Sequence, residues 1–204
     1  ENALGGTCLR IGCIPSKALL HHAKQFHAAQ QITGHTEQGE TYRQQAFDYV
    51  RNTINDVLEE ETPETFEKMG IDVIIGEAIF NTKCSIKVGE TIYQYKKAII
   101  ATGSSPRVID IPGLEAAAIL TNQNIFELTK VPEKTLIIGA GPIGLEIGQA
   151  LAMLGSQVTI ATIEREFGQL EDKVIRPKLR KVFEELGVKI LTEAFISKVE
   201  NNTA

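Results

Sequence analysis

The sequence predicts an α/β protein that combines a doubly wound, three-layer arrangement of parallel strands and helices with a small antiparallel β meander. Strand-like and helix-like segments alternate over residues 131–204, which is typical of a parallel sheet covered by helices. Three short β-branched runs between residues 71 and 95 are separated by turn residues, as in a meander. The Pro- and Gly-containing stretch SSPRVIDIPGL marks a crossover. We therefore expect domains at 1–110 and 131–204, joined by a crossover at 111–130.

Local patterns predict the elements in chain order. A helix is expected from about Pro15 to Gln31, with the proline in its first turn. A second segment with helical spacing runs from Thr41 to Gly70, with a break or kink at Pro63. The apolar segment KKAIIATG predicts a short buried parallel strand. After the crossover, KTLII, a Gly-rich turn, a helix and QVTIAT form one βαβ unit, followed by a helix at about 172–186 and the strand VKIL.

Net charge and composition limit the classes of binding partner and the cellular compartment that we expect for this protein. The 204 residues carry a net charge of −5, which argues against a nucleic-acid or anionic-membrane surface because either needs a basic patch. The apolar stretch Thr135 to Gly155 contains Glu146, five glycines and a proline, so it predicts a strand, a turn and a helix rather than a membrane span. Three cysteines are too few for a secreted disulfide scaffold and favour a cytoplasmic protein. Cys84 is expected to be a buried, inert thiol.

A Gly-rich motif lies between the first strand and the helix of the βαβ unit. Gly139, Gly141 and Gly144 form G-x-G-x-x-G in the strand–turn–helix context that this motif requires, with Pro142 and Ile143 between them. The first glycine permits the tight turn, the second lets a pyrophosphate approach the backbone, and the third lets the helix pack on the strand. The N-terminus of the helix adds N–H groups and a positive dipole end. The motif predicts a dinucleotide site.

The second strand of the unit leaves the choice between NAD and NADP open. An acidic residue at its end usually accepts a hydrogen bond from the ribose 2′-hydroxyl of NAD, and here that position holds Thr162. Glu164 could replace the acid if the loop is shifted. Arg165 could instead face a 2′-phosphate. The sequence therefore predicts NAD or NADP without choosing between them.

Two cysteines lie close together in GGTCLRIGCIPSK. Cys8 and Cys13 are compatible with a metal site, a structural staple or a working disulfide. On a regular helix their Cα atoms would be roughly 8.6 Å apart, whereas a disulfide needs about 4.4–6.8 Å, so a bond requires distortion, which Gly12 makes cheap. A short loop is a weak staple but is suited to thiol exchange. The nearby histidines, His21, His22 and His27, complete no plausible ligand set, so no metal is expected.

Three segments together resemble the flavoprotein pyridine nucleotide–disulfide oxidoreductases. GGTCLRIGCIPSKALL resembles the redox-active segment of that family, and AIIATGSSP resembles the segment that lines FAD before the chain crosses into the NAD domain. The G-x-G-x-x-G unit with LE after it is the third signature, and all three occur in the family's order. The resemblance spans essentially the whole chain. It implies two Rossmann-like nucleotide-binding domains, both incomplete here, with the first binding FAD and the second NAD(P).

The resemblance also implies a role for individual residues. Cys8 would be the interchange thiol that meets the substrate, and Cys13 would lie against the flavin and form the charge-transfer thiolate of a redox-active Cys8–Cys13 disulfide. Lys17 would lie near the flavin N5 and pair with Glu146, since a partner carboxylate makes a cation beside the flavin tolerable. The other residues implied to contact FAD are Gly5, Gly6, Thr7, Ala78, Thr102, Gly103 and Ser104.

Three positions depart from the family pattern. Arg10 stands where the family usually has Asn, Pro142 stands where some members have a Tyr that gates the nicotinamide pocket, and Thr162 replaces the NAD-type Glu. The first Gly-rich motif, which holds the ADP part of FAD, and the dimer domain with its His–Glu acid–base pair are not in these residues. We therefore expect an internal portion of a larger homodimeric enzyme, inactive by itself.

The predicted activity is electron transfer between NAD(P)H, FAD and the Cys8–Cys13 pair. IPSK and SKALL favour dihydrolipoamide dehydrogenase, acting on a small-molecule or lipoyl-type disulfide or dithiol. Mercuric reductase or another NAD(P)H-dependent disulfide reductase is the alternative within the family. A non-catalytic nucleotide-binding module is the alternative of another class, and it would have no reason to keep both cysteines.

Overall fold

The computed structural model describes residues 4–114 and 117–200. The helices are α1 (Gly6–Ile11), α2 (Cys13–Thr33), α3 (Glu37–Gln44), α4 (Ala46–Leu58), α5 (Pro63–Lys68), α6 (Pro142–Met153) and α7 (Arg176–Glu185). The strands are β1 (Ala78–Thr82), β2 (Ser85–Val88), β3 (Thr91–Gln94), β4 (Lys134–Ile138), β5 (Gln157–Ala161) and β6 (Lys189–Leu191), and a 3-10 turn spans Ile125–Glu127. The mixed α/β class predicted from the sequence is confirmed. Over these two ranges, no helix combines the length and apolar character that crossing a bilayer requires.

Capping residues set the ends of the N-terminal helices. The helix predicted from Pro15 is confirmed, but it already begins at Cys13. Its C-terminal end is closed by Gly34, which has a positive φ of 69° and donates its N–H to the Gln30 carbonyl at 2.9 Å. The expected break at Pro63 is confirmed, since α4 ends at Leu58 before it. Pro63 is the first residue of α5, where its missing N–H is harmless, and the Thr62 side chain caps that helix.

The predicted meander is present with a shorter first strand. β1, β2 and β3 pair in that order and antiparallel, with Ala78 opposite Val88 and Val88 opposite Thr91. The β-branched residues 71–76 before β1 form no strand and are largely exposed. Strand propensity alone does not make a strand, because a ladder also needs a neighbouring strand to receive its hydrogen bonds.

Two expectations for this part of the chain are wrong. KKAIIATG forms no strand, and Ile99 and Ile100 are 94% and 70% exposed. A buried parallel strand needs partners on both edges and helices on both faces, and the described residues provide no strand beside this segment. Cys84 is exposed rather than buried, because it lies in the tight turn between β1 and β2.

The C-terminal half contains the predicted parallel sheet, in the order β4–β5–β6. Ile138 of β4 pairs with Ala161 of β5, and Ala161 pairs with Leu191 of β6. Helix α6 connects β4 to β5 and packs on the sheet through Gly148, where an added Cβ would lie 2.9 Å from the Ile137 side chain. Close approach of helix and sheet thus depends on small residues along α6.

One hydrophobic core runs through the described residues and crosses the predicted domain boundary. It joins residues of α2 and α4 to the 3-10 turn, to α6 and to the parallel sheet, with Leu19, Phe47, Leu151 and Ile160 among the fully buried side chains. Helix α6 therefore lies between α2 and the sheet. The division into domains at 1–110 and 131–204 remains a prediction.

Two arginine side chains of the N-terminal helices donate hydrogen bonds to backbone carbonyls of the C-terminal half. Arg43 Nε of α3 donates to the Leu154 carbonyl at 2.5 Å, just after the end of α6. Arg51 Nη1 of α4 donates to the Leu128 carbonyl at 2.9 Å. Carbonyls at a helix end lack partners within the helix, so these arginines satisfy groups that would otherwise need water.

Candidate functional site

A break between two helices brings the two cysteines together. Cys8 lies in α1 and Cys13 is the first residue of α2, and between them Gly12 has φ −135° and ψ −117°, outside the helical region. A Cβ at Gly12 would lie 2.8 Å from the Thr7 carbonyl oxygen and 3.2 Å from Cys8 Cα. The turn can therefore close this tightly only with glycine at position 12. Both cysteines are exposed free thiols in this structure.

Cys8 influences the protonation of Cys13. A hydrogen bond to the Cys8 side chain is the main cause that raises the pKa of Cys13, and the charge of Cys8 acts in the same direction. The positive charge of Lys17, one helical turn further along α2, lowers the pKa of Cys13. Two thiolates this close repel each other, so the pair favours one thiolate and one thiol, the arrangement that thiol exchange uses.

Lys17 and Glu146 connect the cysteine-bearing helix to the helix of the Gly-rich motif. The ammonium of Lys17 forms an ion pair with Oε1 of Glu146 on α6, and this hydrogen bond raises the pKa of Lys17. The side chains are 67% and 24% exposed, so the pair contributes little to stability. Its significance is positional, because it fixes a cation next to the thiols.

The segment before α1 has the conformation that its glycines permit. Gly5 caps α1 with φ 110° and Gly6 follows with φ 56°, both in the region that favours glycine. Thr7 is exposed. Arg10 turns back toward this segment, where its Nε donates to the Leu4 carbonyl at 2.8 Å. This hydrogen bond therefore fixes the backbone just before Gly5 and Gly6 to α1.

The Gly-rich turn after β4 has an open face at the N-terminus of α6. Gly139 has φ 104°, and a Cβ at Gly144 would lie 2.7 Å from the Gly139 carbonyl oxygen, so both positions depend on glycine. No atom lies within 4 Å of a Cβ built on Gly141. Helix α6 begins at Pro142, and the first N–H groups after it, including that of Ile143, have no partner inside the helix. The turn thus offers open space and free donors, which fit a pyrophosphate.

Thr162 and Glu164 follow β5 on the edge of the sheet that carries this turn. Thr162 is 3% exposed, and its Oγ1 accepts a hydrogen bond from the Glu164 N–H at 3.3 Å. Among the described residues, Oε2 of Glu164 is buried without a hydrogen-bond partner. Sequence reasoning treated Glu164 as a substitute only, and a buried oxygen without a partner cannot be recognised from sequence.

The structure brings together only some of the predicted site residues. Cys8, Cys13, Lys17 and Glu146 form one cluster through the contacts above. Ala78 begins β1, and residues 102–104 form an irregular exposed segment in which Gly103 has φ 75°. No hydrogen bond or ion pair between described residues connects either of these places to the cysteines. Their contact with FAD remains a prediction.

One residue near the cysteines has no signal in the sequence. Asn122 Nδ2, in the crossover, donates to the Ile11 carbonyl at 3.4 Å, directly before the Gly12 break. An asparagine more than a hundred residues away carries no motif that could have revealed this contact.

A buried histidine lies further along α2. His22 stacks on Tyr42 with ring centroids 4.0 Å apart and donates its Nε2–H to the Tyr42 carbonyl at 2.7 Å. Burial is the main cause that lowers the pKa of His22. Its Nδ1 has no partner among the described residues. His22 is therefore a neutral packing residue of the interface between α2 and α3.

Comparisons with known proteins identify the family of this chain. Residues 2–204 match the family model described as pyridine nucleotide-disulphide oxidoreductase. The chain is 34% identical to dihydrolipoyl dehydrogenase of Staphylococcus aureus, covering 97% of this chain and 43% of that protein. It is 30% identical to mercuric reductase of Lysinibacillus sphaericus, covering 99% of this chain and 38% of that protein.

A solved structure shows the same likeness. The chain superposes with a TM-score of 0.77 and 29% identity on the Cu(II) complex of the HOCl-induced flavoprotein disulfide reductase RclA from Escherichia coli, covering 97% of this chain and 43% of the other. The chain thus spans less than half the length of the relatives it matches. With the family model matching nearly every residue, the chain belongs to the pyridine nucleotide-disulphide oxidoreductases.

Proposed function

We propose that the full-length protein is a flavoprotein that transfers electrons between NAD(P)H, FAD and the Cys8–Cys13 pair. The observation that carries this proposal is the cysteine pair across the Gly12 break, next to Lys17, whose partner Glu146 lies on the helix that follows the Gly-rich turn. A non-catalytic nucleotide-binding module would need the turn and would not need two exposed thiols so placed that Cys8 raises the pKa of Cys13.

The family uses FAD and NAD(P)H, and residues of this chain fit both cofactors. The open face at Gly141 and the free N–H groups of α6 would receive the pyrophosphate of the dinucleotide in a Rossmann-like domain. Gly5, Gly6 and Gly103, with positive φ angles, would let FAD approach the backbone. When bound, the flavin accepts a hydride and passes on two electrons. Lys17 would hold a positive charge beside it.

The cysteines would carry out disulfide exchange. In the reducing direction, two electrons from NAD(P)H, its proton and one solvent proton convert the Cys8–Cys13 disulfide into two thiols. Cys8 then loses its proton, and its thiolate attacks a substrate disulfide and releases one substrate thiolate, which takes up that proton. Cys13 loses its proton and attacks Cys8 Sγ, which restores the disulfide and releases the second thiol. The cation at Lys17 supports the thiolate form of Cys13.

We propose dihydrolipoamide as the physiological dithiol, with the reaction running toward NAD(P)H. The segment IPSKALL after Cys13 and the identity with dihydrolipoyl dehydrogenase support this choice. The likeness to mercuric reductase is comparable, so Hg²⁺ is the competing substrate. A homodimer in the cytoplasm is part of the same proposal.

An anaerobic titration of the full-length protein with NADH or NADPH tests the redox assignment. We expect a long-wavelength absorption band from the Cys13 thiolate beside the flavin, and we expect the Cys13→Ser variant to lack it. Bleaching of the wild-type flavin without this band would contradict the assignment. Turnover with dihydrolipoamide, with lipoamide and with Hg²⁺ then identifies the substrate, and turnover with Hg²⁺ alone would contradict the lipoyl proposal.

A further inference from the structure

The residues after β5 lie beside the Gly-rich turn. β4 and β5 are parallel neighbours, and the N–H of Gly139 donates to the Ala161 carbonyl at 2.7 Å. A dinucleotide whose pyrophosphate lies at the N-terminus of α6 directs its adenosine ribose toward the end of the second strand. Residues 162–164 are therefore the ones that meet this ribose.

The backbone and the side chain of Thr162 both form hydrogen bonds within the protein. Its N–H donates to the Leu191 carbonyl at 2.8 Å and its carbonyl accepts from the Ala194 N–H at 3.0 Å. Its hydroxyl accepts from the Glu164 N–H and its side chain is buried. Thr162 therefore shapes the loop and offers no surface to a ligand.

The backbone of Glu164 is fixed while its carboxylate lacks a partner. Its N–H is bonded to Thr162, and its carbonyl accepts from the Glu193 N–H at 2.9 Å. Oε2 is buried without a donor among the described residues. A buried carboxylate oxygen without a donor is unfavourable. Since Glu164 as a whole is only half-buried, its carboxylate can turn toward the ribose, and a hydroxyl that donates to it there removes this cost.

Arg176 at the start of α7 and two cations of the preceding loop interact with a different acid, Glu166. Arg176 Nη1 pairs with Glu166 Oε2 at 2.6 Å, and its remaining donors bond the Gln169 and Glu171 carbonyls at 2.9 Å each. This ion pair is the main cause that lowers the pKa of Glu166, and Lys173 and Arg165 lower it further. These three cations therefore stabilise the carboxylate of Glu166.

We infer that Glu164 makes the dinucleotide site selective for NAD, by accepting a hydrogen bond from the adenosine ribose 2′-hydroxyl and repelling a 2′-phosphate. This inference rests on the proposed function. It moves the acidic determinant two residues past the position where the family pattern has it, because Thr162 is used to build the loop.

The test measures binding of ADP-ribose and 2′-phospho-ADP-ribose to the full-length holoenzyme by titration calorimetry, so it needs no turnover. We expect the wild type to bind ADP-ribose at least about tenfold more tightly. In Glu164→Gln we expect this ratio to fall several-fold, mainly because 2′-phospho-ADP-ribose binds better. Glu171→Gln is the matched control, since it removes the same charge from an exposed residue of the same loop and leaves the ion pair of Glu166 with Arg176 intact, and it should leave the ratio unchanged. Melting temperatures establish that each variant is folded.

The outcomes separate this inference from the proposed function. Preference of the wild type for 2′-phospho-ADP-ribose, an unchanged ratio in Glu164→Gln, an equal shift in Glu171→Gln, or binding of neither fragment would overturn the role of Glu164. Selective ADP-ribose binding without flavin reduction by NADH would leave that role intact and overturn the proposed electron transfer.

Discussion

Gly12 is the residue on which the geometry of the thiol pair depends most directly. In Gly12→Ala the new Cβ would be 2.8 Å from the Thr7 carbonyl oxygen, a backbone atom that cannot move without shifting Cys8. We expect the full-length variant to form the Cys8–Cys13 disulfide more slowly and to lose about 1–3 kcal/mol of unfolding free energy. Thiol titration during oxidation and urea unfolding measure the two effects.

Gly39→Ala is the control for this prediction. Its Cβ would lie 3.1 Å from Oγ1 of Thr36, the end of a side chain in a distant helix cap. Disulfide formation at the wild-type rate is expected there. The same rate in Gly12→Ala would show that the close approach at position 12 is unimportant.

Lys17 affects the reactivity of Cys13 through its charge. In Lys17→Met the cation is lost and the pKa of Cys13 rises, since Lys17 lowers it in the native protein. We expect the pH profile of Cys13 alkylation, measured in Cys8→Ser to isolate one thiol, to move to higher pH. Unfolding free energy should change by less than about 1 kcal/mol, because the ion pair is largely exposed. Lys24→Met, an exposed lysine two turns further along α2, should leave the profile in place.

Among the elements, α6 offers a comparison between two of its own glycines. Gly144→Ala places a Cβ 2.7 Å from the backbone oxygen of Gly139, whereas Gly148→Ala meets the flexible ends of Ile137 and Ile160 at 2.9 and 3.2 Å. We expect Gly144→Ala to lose about 1–3 kcal/mol and Gly148→Ala less. Urea unfolding of both variants decides this, and equal losses would contradict it.

The packing of α2 against α3 makes stability sensitive to acid. The pKa of His22 is below its ordinary value of 6.5 in the folded protein, so the unfolded chain binds a proton first as the pH falls. The stabilisation from neutral His22 is complete above pH 6.5 and is lost as the pH falls toward the lowered pKa. We expect the urea midpoint of the wild type to drop between pH 7 and pH 5, and the drop to be smaller in His22→Phe. In His21→Gln most of the drop should persist, because burial rather than the charge of this exposed neighbour is the main cause of the lowered pKa of His22.

The elements that could be predicted from the sequence are those determined by residues close together in the chain. Alternation of strand and helix, Pro15, the break at Pro63 and the Gly-rich turn predicted α2, the end of α4 before Pro63, and the parallel sheet, because helix starts, breaks and turns act within a few residues. KKAIIATG could not be placed, since a strand depends on a neighbour distant in the sequence. In the site, the cysteines and Lys17–Glu146 carry motif signals, while Asn122 and the buried oxygen of Glu164 depend on tertiary contacts.

At the scale of the whole molecule, one core unites both predicted domains and one apolar segment lies outside it. Ile99 and Ile100 are exposed next to residues 102–104, which are predicted to line FAD. We expect the 204-residue chain, purified alone, to hold less than one equivalent of FAD after gel filtration, measured by visible absorbance. The full-length protein is the control and should hold one equivalent. Stoichiometric FAD on the 204-residue chain would contradict this expectation.

The length of α2 connects the Cys13 thiol to packing elsewhere in the molecule. At 1.5 Å per residue its 21 residues make a rod of about 30 Å, with the Cys13 sulfur at one end and the cap at Gly34 at the other. Its flank is clamped to α6 through Lys17 and through the shared core. The core residues of α2 run from Ala18 to Phe26, so the core fixes the middle of the rod rather than one of its ends. The position of the Cys13 sulfur therefore depends on packing up to about three and a half turns away along the same helix.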